Sequence, residues 1–203
     1  MFIGLLAVFN QTSDTVSCQL SWTDELTLDT TFERVQPGHA FLPCNDSRSC
    51  LGMCYPAFAP FQKERGGRIQ VYSSGTVGLH NVGVKRGFLN LATLRSDGFA
   101  AVAPMDGKSG TWISHPLLCT GPTLLATADL VAGAPSGTVS ARVEVLGEDA
   151  AMGEQAQCSP LSVGSAGATN KPLCSGLLVG SRVRLTIKLG SAELYTVSFA
   201  GAG

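Results

Sequence analysis

The chain has 203 residues, 44% of them hydrophobic and only 14% charged, with 24 glycines and 10 prolines. This length allows one large domain or two small ones, and the composition favours many short strands joined by tight turns over helices with charged faces. The 14 basic and 15 acidic residues form no long run of either sign, which excludes nucleic acid binding through a basic stripe that neutralises phosphates.

The chain begins with an apolar run from Met1 to Phe9. No basic segment precedes this run and no small-x-small cleavage site follows it, so it lacks the features of a signal peptide. It is also about half as long as a helix that crosses a bilayer. We therefore predict a buried strand and no membrane partner, and we expect the chain to open in the middle of a fold.

The first half of the chain alternates strand-like segments with loops of unequal length. A polar turn from Asn10 to Asp14 separates the first two segments, and a crossing with proline and glycine follows at residues 36–38. Groups of three strands joined in this way are typical of β-propeller blades. The predicted strands cover residues 2–9, 16–22, 53–61, 68–73 and 88–94.

The second half contains the clearest pattern, an unbroken alternation of apolar and polar residues from Arg182 to Leu189. A period of two places the four apolar residues of this segment on a core face and its cations in solvent. After a turn at Gly190 and Ser191, residues 195–199 resume the alternation, which predicts a hairpin.

Two upstream segments, residues 124–130 and 139–145, alternate in the same way. Between them and the last strands, residues 147–176 have weak periodicity and predict a long loop around a short strand at residues 161–163. Several short strands with one apolar and one polar face predict an antiparallel β-sandwich for this half of an all-β protein.

Seven cysteines cannot all pair within one chain, because their number is odd. We expect Cys158 and Cys174 to staple the long loop if the compartment is oxidising. Cys44, Cys50 and Cys54 cluster, but they lack C-x-x-C spacing and the three histidines are scattered, so no zinc site is predicted.

Several short segments carry recognisable motifs. In the first half they are residues 3–8, 20–24, 34–38 and 68–72, followed by residues 91–99; in the second half they are residues 110–118, 143–145, 183–185 and 194–195. The first group resembles the last blades of five-bladed β-propeller glycosidase-like proteins, the group around glycoside hydrolase families 32 and 43. The second group resembles their C-terminal β-sandwich module. The turn from Trp22 to Glu25 departs from the Ser-x-Asp-Gly turn of those proteins at the serine and the glycine.

This resemblance implies incomplete β-propeller blades, about two of five, in residues 1–96, followed by a complete β-sandwich in residues 97–203. In such proteins the catalytic nucleophile or base comes from an early blade, so the resemblance implies that this part lies upstream of Met1. It therefore implies a fragment without a complete catalytic site.

Three residues are candidates for substrate binding. Tyr55 lies on the strand expected to be innermost in the final blade, and His80 lies in the long loop nearby, where a ring could stack on a sugar or hydrogen-bond to it. Asp24 is the third candidate, although Asp24 and Asp97 both fit the role of turn formers. Glu144 alternates out of a strand and is expected to be a solvated surface charge.

The leading hypothesis is a glycosidase-like fragment that binds carbohydrate or is structural. The alternatives are an active glycoside hydrolase that uses its own carboxylates, and a protein-interaction β-sandwich module. We expect no cofactor and no metal, and the oligomeric state stays open. The compartment also stays open: Asn10 and Asn45 begin glycosylation acceptor patterns, and secretion fits if the native N-terminus lies upstream.

Overall fold

The computed structural model describes residues 2–44, 50–63, 68–82, 86–95, 97–147 and 156–201. These residues form an all-β protein with several antiparallel sheets, which confirms the predicted fold class at this level. None of them belongs to a helix long and apolar enough to cross a bilayer. The acceptor pattern at Asn45 lies outside the described residues.

The chain divides into two compact units, Met1–Phe99 (unit 1) and Ala100–Gly203 (unit 2). The boundary expected from the sequence lies three residues earlier, after residue 96. The strands of unit 1 are β1 (Phe2–Asn10), β2 (Thr15–Thr23), β3 (Glu33–Arg34), β4 (Gly52–Lys63), β5 (Arg68–Val77) and β6 (Arg86–Arg95). The strands of unit 2 are β7 (Ser109–Ile113), β8 (Leu117–Leu118), β9 (Thr123–Leu130), β10 (Gly137–Leu146), β11 (Gln157–Cys158), β12 (Leu161–Val163), β13 (Ala168–Ser175), β14 (Arg182–Gly190) and β15 (Ala192–Ala200).

Unit 1 is one six-stranded sheet in the order β1-β2-β4-β5-β6, with β3 also paired to β2. It consists of two antiparallel groups, β1-β2-β3 and β4-β5-β6. The parallel residue pair of Val16 with Met53 and the disulfide between Cys18 of β2 and Cys54 of β4 join the two groups. All five strands predicted for this half are present. The first of them, β1, is not buried as predicted: Phe2 and Phe9 are each 46% exposed.

Disulfides contribute much of the core of unit 1. Cys18 is bonded to Cys54 and Cys44 to Cys50. Cys18, Cys50 and Cys54 are buried beside Val71 and Leu42, so disulfide sulfur occupies much of the space that aliphatic side chains fill in other cores.

Unit 2 contains two antiparallel sheets. One has the order β12-β10-β14-β7, with β8 also paired to β14, and the other has the order β11-β13-β9-β15. Buried residues from both sheets belong to one hydrophobic core. Val183, Leu185, Ile187 and Leu189 of β14 are all buried there, as their alternation predicts, and each contributes about 1.5–3 kcal/mol by leaving water.

Two expectations for unit 2 are wrong. Strands β14 and β15 do not form a hairpin: β14 pairs with β10 and β7, whereas β15 pairs with β9 in the other sheet. The chain crosses between the sheets at Ser191, which has a φ of +48°. Part of the expected long loop is the eight-residue strand β13, which pairs with β9 through two register irregularities.

The remaining cysteines have distinct states. Cys158 and Cys174 lie opposite each other on β11 and β13 and form a disulfide, as expected. Cys119 is a buried free thiol. Its Sγ lies 3.2 Å from the carbonyl oxygen of Gly121, to which it donates a hydrogen bond.

Candidate functional site

One face of the β4-β5-β6 group carries two tyrosines and is partly exposed to solvent. Its residues, called the tyrosine face from here on, are Tyr55, Gln70, Tyr72, Ser74, Leu89, Leu91 and Thr93. Paired residues of antiparallel strands project to the same side of a sheet. Ser74 pairs with both Tyr55 and Leu89, and Tyr72 pairs with Leu91, so these side chains form two adjacent rows.

The opposite side of the same strands is buried, and this fixes which residues face outward. Val71 of β5 is 1% exposed, and Ile69, Ala92 and Leu94 pack against the core that contains it. Because side chains alternate along a strand, the neighbours of these residues must lie on the outer side. Tyr55 pairs with the exposed Ser74, which places it on the outer side as well.

Short hydrogen bonds hold the polar ends of the tyrosine face. The hydroxyl of Tyr72 donates to Oε1 of Gln70 over 2.8 Å. The Tyr55 hydroxyl makes a weaker contact of 3.6 Å with Sδ of Met53. At the end of the rows, Nη2 of Arg68 donates to Oγ1 of Thr93 over 2.8 Å. Tyr55 and Tyr72 are both partly exposed.

The edge strand adds apolar surface to this face. Leu89 is 80% exposed and Leu91 is 54% exposed. Leu91 is paired with Tyr72, so exposed apolar and aromatic residues share this face, as they do at many interaction sites.

The three candidate residues do not occupy one site. Tyr55 lies on the tyrosine face. His80 follows β5; its backbone N–H donates to the carbonyl of Asp14 over 2.8 Å, and its ring lies 4.9 Å from that of Phe9. Asp24 is exposed just after β2, at the opposite end of that strand from Asp14. At about 3.3 Å per residue, roughly 30 Å of strand separates Asp24 from the segment that holds His80.

Asp24, Asp97 and Glu144 lie in turns or on the protein surface. Asp97 lies 2.9 Å from Nε of Arg95, and Glu144 lies 3.9 Å from Nη1 of Arg184. Asp24 is exposed in the loop after β2. Glycoside hydrolysis needs two carboxyl groups that flank one scissile bond, and these three residues lie in separate local structures.

In the part of the chain that the structure describes, no three His, Cys, Asp or Glu side chains come close enough to bind a metal ion together. The clustered cysteines 44, 50 and 54 are held in disulfides.

The sequence indicated Tyr55 as a candidate but not the other residues of the tyrosine face. Residues 68–73 and 88–94 are predicted as strands, and the alternation of Val71 with Tyr72 is visible in the sequence. The pairing that aligns Tyr72 with Leu91, and Tyr55 with Leu89 through Ser74, is a property of strand register, which a single sequence does not specify.

No protein-family model, curated protein or solved structure matches this chain.

Proposed function

We propose that this chain is a carbohydrate-binding protein without a complete catalytic site, and that the sugar binds on the tyrosine face. One observation carries the proposal: Tyr55 and Tyr72 are partly exposed on a sheet face that also presents side-chain amide and hydroxyl groups. The C–H face of a sugar ring packs on an aromatic ring, and its hydroxyl groups exchange hydrogen bonds with amides and hydroxyls.

We also propose a finer architecture for the two units. The common core of its two antiparallel sheets supports a β-sandwich for unit 2. The two three-stranded antiparallel groups of unit 1 are linked by the pair of Val16 with Met53 and by the Cys18–Cys54 disulfide. This division supports about two blades of a glycosidase-like propeller. The three disulfides favour an oxidising compartment, as in secreted proteins.

The test is the binding of neutral fructo-, xylo- and cello-oligosaccharides, measured by isothermal titration calorimetry. At least one of them should bind the wild-type protein, and Tyr72→Ala should weaken that binding by about tenfold or more, or about 1.4 kcal/mol. Tyr72→Phe keeps the ring and removes the hydrogen bond to Gln70, so it should lose less affinity than Tyr72→Ala.

Tyr195→Ala is the matched control. Tyr195 lies in unit 2, and its hydroxyl donates to a residue two positions earlier, Glu193, over 3.2 Å, as that of Tyr72 does to Gln70. Equal losses in Tyr72→Ala and Tyr195→Ala, or no binding of any oligosaccharide by folded protein, would contradict the proposal.

The same samples separate the two alternatives. Release of reducing sugar that is abolished by Asp24→Asn would support a glycoside hydrolase. Specific capture of one protein, together with no oligosaccharide binding, would support an interaction module.

A further inference from the structure

We infer that a second surface, the outward face of β10 and β14 in unit 2, binds an anionic polysaccharide. This surface, the basic face, comprises Arg142, Glu144, Arg182, Arg184, Thr186 and Lys188. The choice of a glycan as the ligand rests on the proposed function, whereas the sign of its charge rests on this face alone.

Strand register places the cations on one side of the sheet. Arg142 is opposite Thr186, and Glu144 is opposite Arg184. The residues between them on β14, such as Leu185 and Ile187, are buried in the core. The alternation therefore commits every charged residue of these two strands to the outer side.

The basic face carries an excess of positive charge within a chain whose net charge is -1. It has four cations, and Glu144 is its one carboxylate among the described residues, so its formal charge is +3. The Glu144 carboxylate lies 3.9 Å from Arg184, and the two side chains are 57% and 42% exposed. An exposed pair at this distance binds weakly, so it leaves Arg184 available to a ligand.

The shape of this surface fits an extended chain. A pocket of about 430 Å³ is lined by Ser140, Ala141, Arg142, Glu144, Thr186 and Lys188, and Arg182 and Arg184 lie further along β14 on the same side of the sheet. From Arg182 to Lys188, β14 extends about 20 Å at 3.3 Å per residue. A linear polyanion can therefore contact several cations at once, while Ser140 and Thr186 offer hydroxyl groups between them.

Other polyanions fit this surface less well. Single-stranded nucleic acid is held by bases stacked on aromatic rings, and the described residues of this face include no aromatic side chain. A bilayer surface is flat on this scale and does not enter a pocket. Sulfate or carboxylate groups along a sugar chain match both the charge and the concave shape.

Dextran sulfate and dextran provide the test, because they share one backbone and differ in charge. Titration calorimetry should detect binding of dextran sulfate at 50 mM salt and no binding of dextran. Raising the salt to 200 mM should weaken binding by about tenfold or more, because the interaction releases counterions.

Substitutions locate the binding surface. The double variant Arg142→Gln with Lys188→Gln should weaken binding of dextran sulfate by about tenfold or more. Glu144→Gln removes the one carboxylate and should strengthen binding, even if the double variant fails to fold. Lys171→Gln is the matched control, since Lys171 is an exposed cation on β13 in the other sheet of unit 2, and it should leave affinity unchanged.

Several outcomes would overturn the inference: equal binding of dextran, equal losses in the double variant and in Lys171→Gln, weaker binding in Glu144→Gln, or tighter binding of oligo(dT) or of anionic lipid vesicles than of dextran sulfate. Tyr72→Ala distinguishes this inference from the proposed function, because it should reduce binding of the neutral oligosaccharide and leave binding of dextran sulfate intact.

Discussion

At the scale of single residues, Asp106 shows how a turn can tune a carboxyl group without burying it. Its Oδ1 accepts hydrogen bonds from the backbone N–H groups of Lys108, at 2.8 Å, and Ser109, at 3.1 Å. The bond from Lys108, followed by that from Ser109, holds the pKa of Asp106 below the usual 3.8, because both donors favour the ionised form. The turn that leads into β7 is therefore stabilised by a charged group.

Asp106→Asn should make stability less dependent on pH in acid. Because the folded pKa lies below the unfolded value, the stabilisation by Asp106 is complete above about pH 4 and is lost as the pH falls through the folded pKa. Thermal melts from pH 7 to pH 2 should give the wild-type protein a higher melting temperature than the variant at neutral pH. The two melting temperatures should converge in acid. A difference in melting temperature that stays constant down to pH 2 would contradict a stabilising role of the Asp106 carboxylate.

At the scale of elements, the order of strands along the chain does not give their order in the sheets. Strand β15 follows β14 after one residue but pairs with β9, so the short β14–β15 connection links the two sheets of unit 2. The C-terminal end of β15 packs closely against the residues just before β9. A side chain added at Gly121 would overlap the backbone carbonyl of Ala200. This close approach requires glycine, since a backbone atom cannot rotate away.

Gly121→Ala should therefore destabilise unit 2 by about 1–3 kcal/mol, because it forces β9 and β15 apart. Gly164→Ala is the control: nothing lies within 4 Å of an added Cβ there, so this variant should be neutral or slightly stabilised. Urea unfolding of the two variants measures both values. Equal free energies of unfolding for the two variants would contradict this prediction, because they would show that β9 and β15 can separate with no loss of stability.

The sequence correctly predicted burial where the alternation within one strand determines it. It did not predict which strands pair or in which register. Val183 and Ile187 are buried in an alternation that needs no partner to be recognised. Strand β13 was missed because four consecutive exposed residues, Thr169–Pro172, interrupt its pattern. The tyrosine face could not be assembled because register, not composition, brings Tyr72 beside Leu91.

At the scale of the whole molecule, the two units depend on different forces. The described residues include sixteen buried members in the core of unit 2, most of them aliphatic, and five in that of unit 1. Three of those five are the disulfide-bonded Cys18, Cys50 and Cys54. Closing the 36-residue separation between Cys18 and Cys54 is worth about 4 kcal/mol of chain entropy. Unit 1 therefore depends on its disulfide bonds for much of its stability, whereas unit 2 depends mainly on the burial of apolar side chains.

Reduction should unfold unit 1 at a lower temperature than unit 2. Each unit contains one tryptophan, Trp22 on β2 and Trp112 on β7, so Trp112→Phe and Trp22→Phe give proteins whose fluorescence reports one unit. With dithiothreitol, the Trp22 transition should move down by more than the Trp112 transition. Cys158→Ala with Cys174→Ala should lower mainly the Trp112 transition. Equal shifts of both signals under reduction would contradict the assignment.

The free thiol of Cys119 can form new disulfide bonds only after unit 2 unfolds. All seven cysteines lie within the described ranges, and the free thiol of Cys119 is 0% exposed, so the native chain shields it from reagents. Once unit 2 opens, its thiolate can attack the Cys158–Cys174 bond of the same chain or of a neighbour. Mispaired chains and cross-linked dimers would then accumulate with each heating cycle, fastest at alkaline pH, and would make unfolding irreversible.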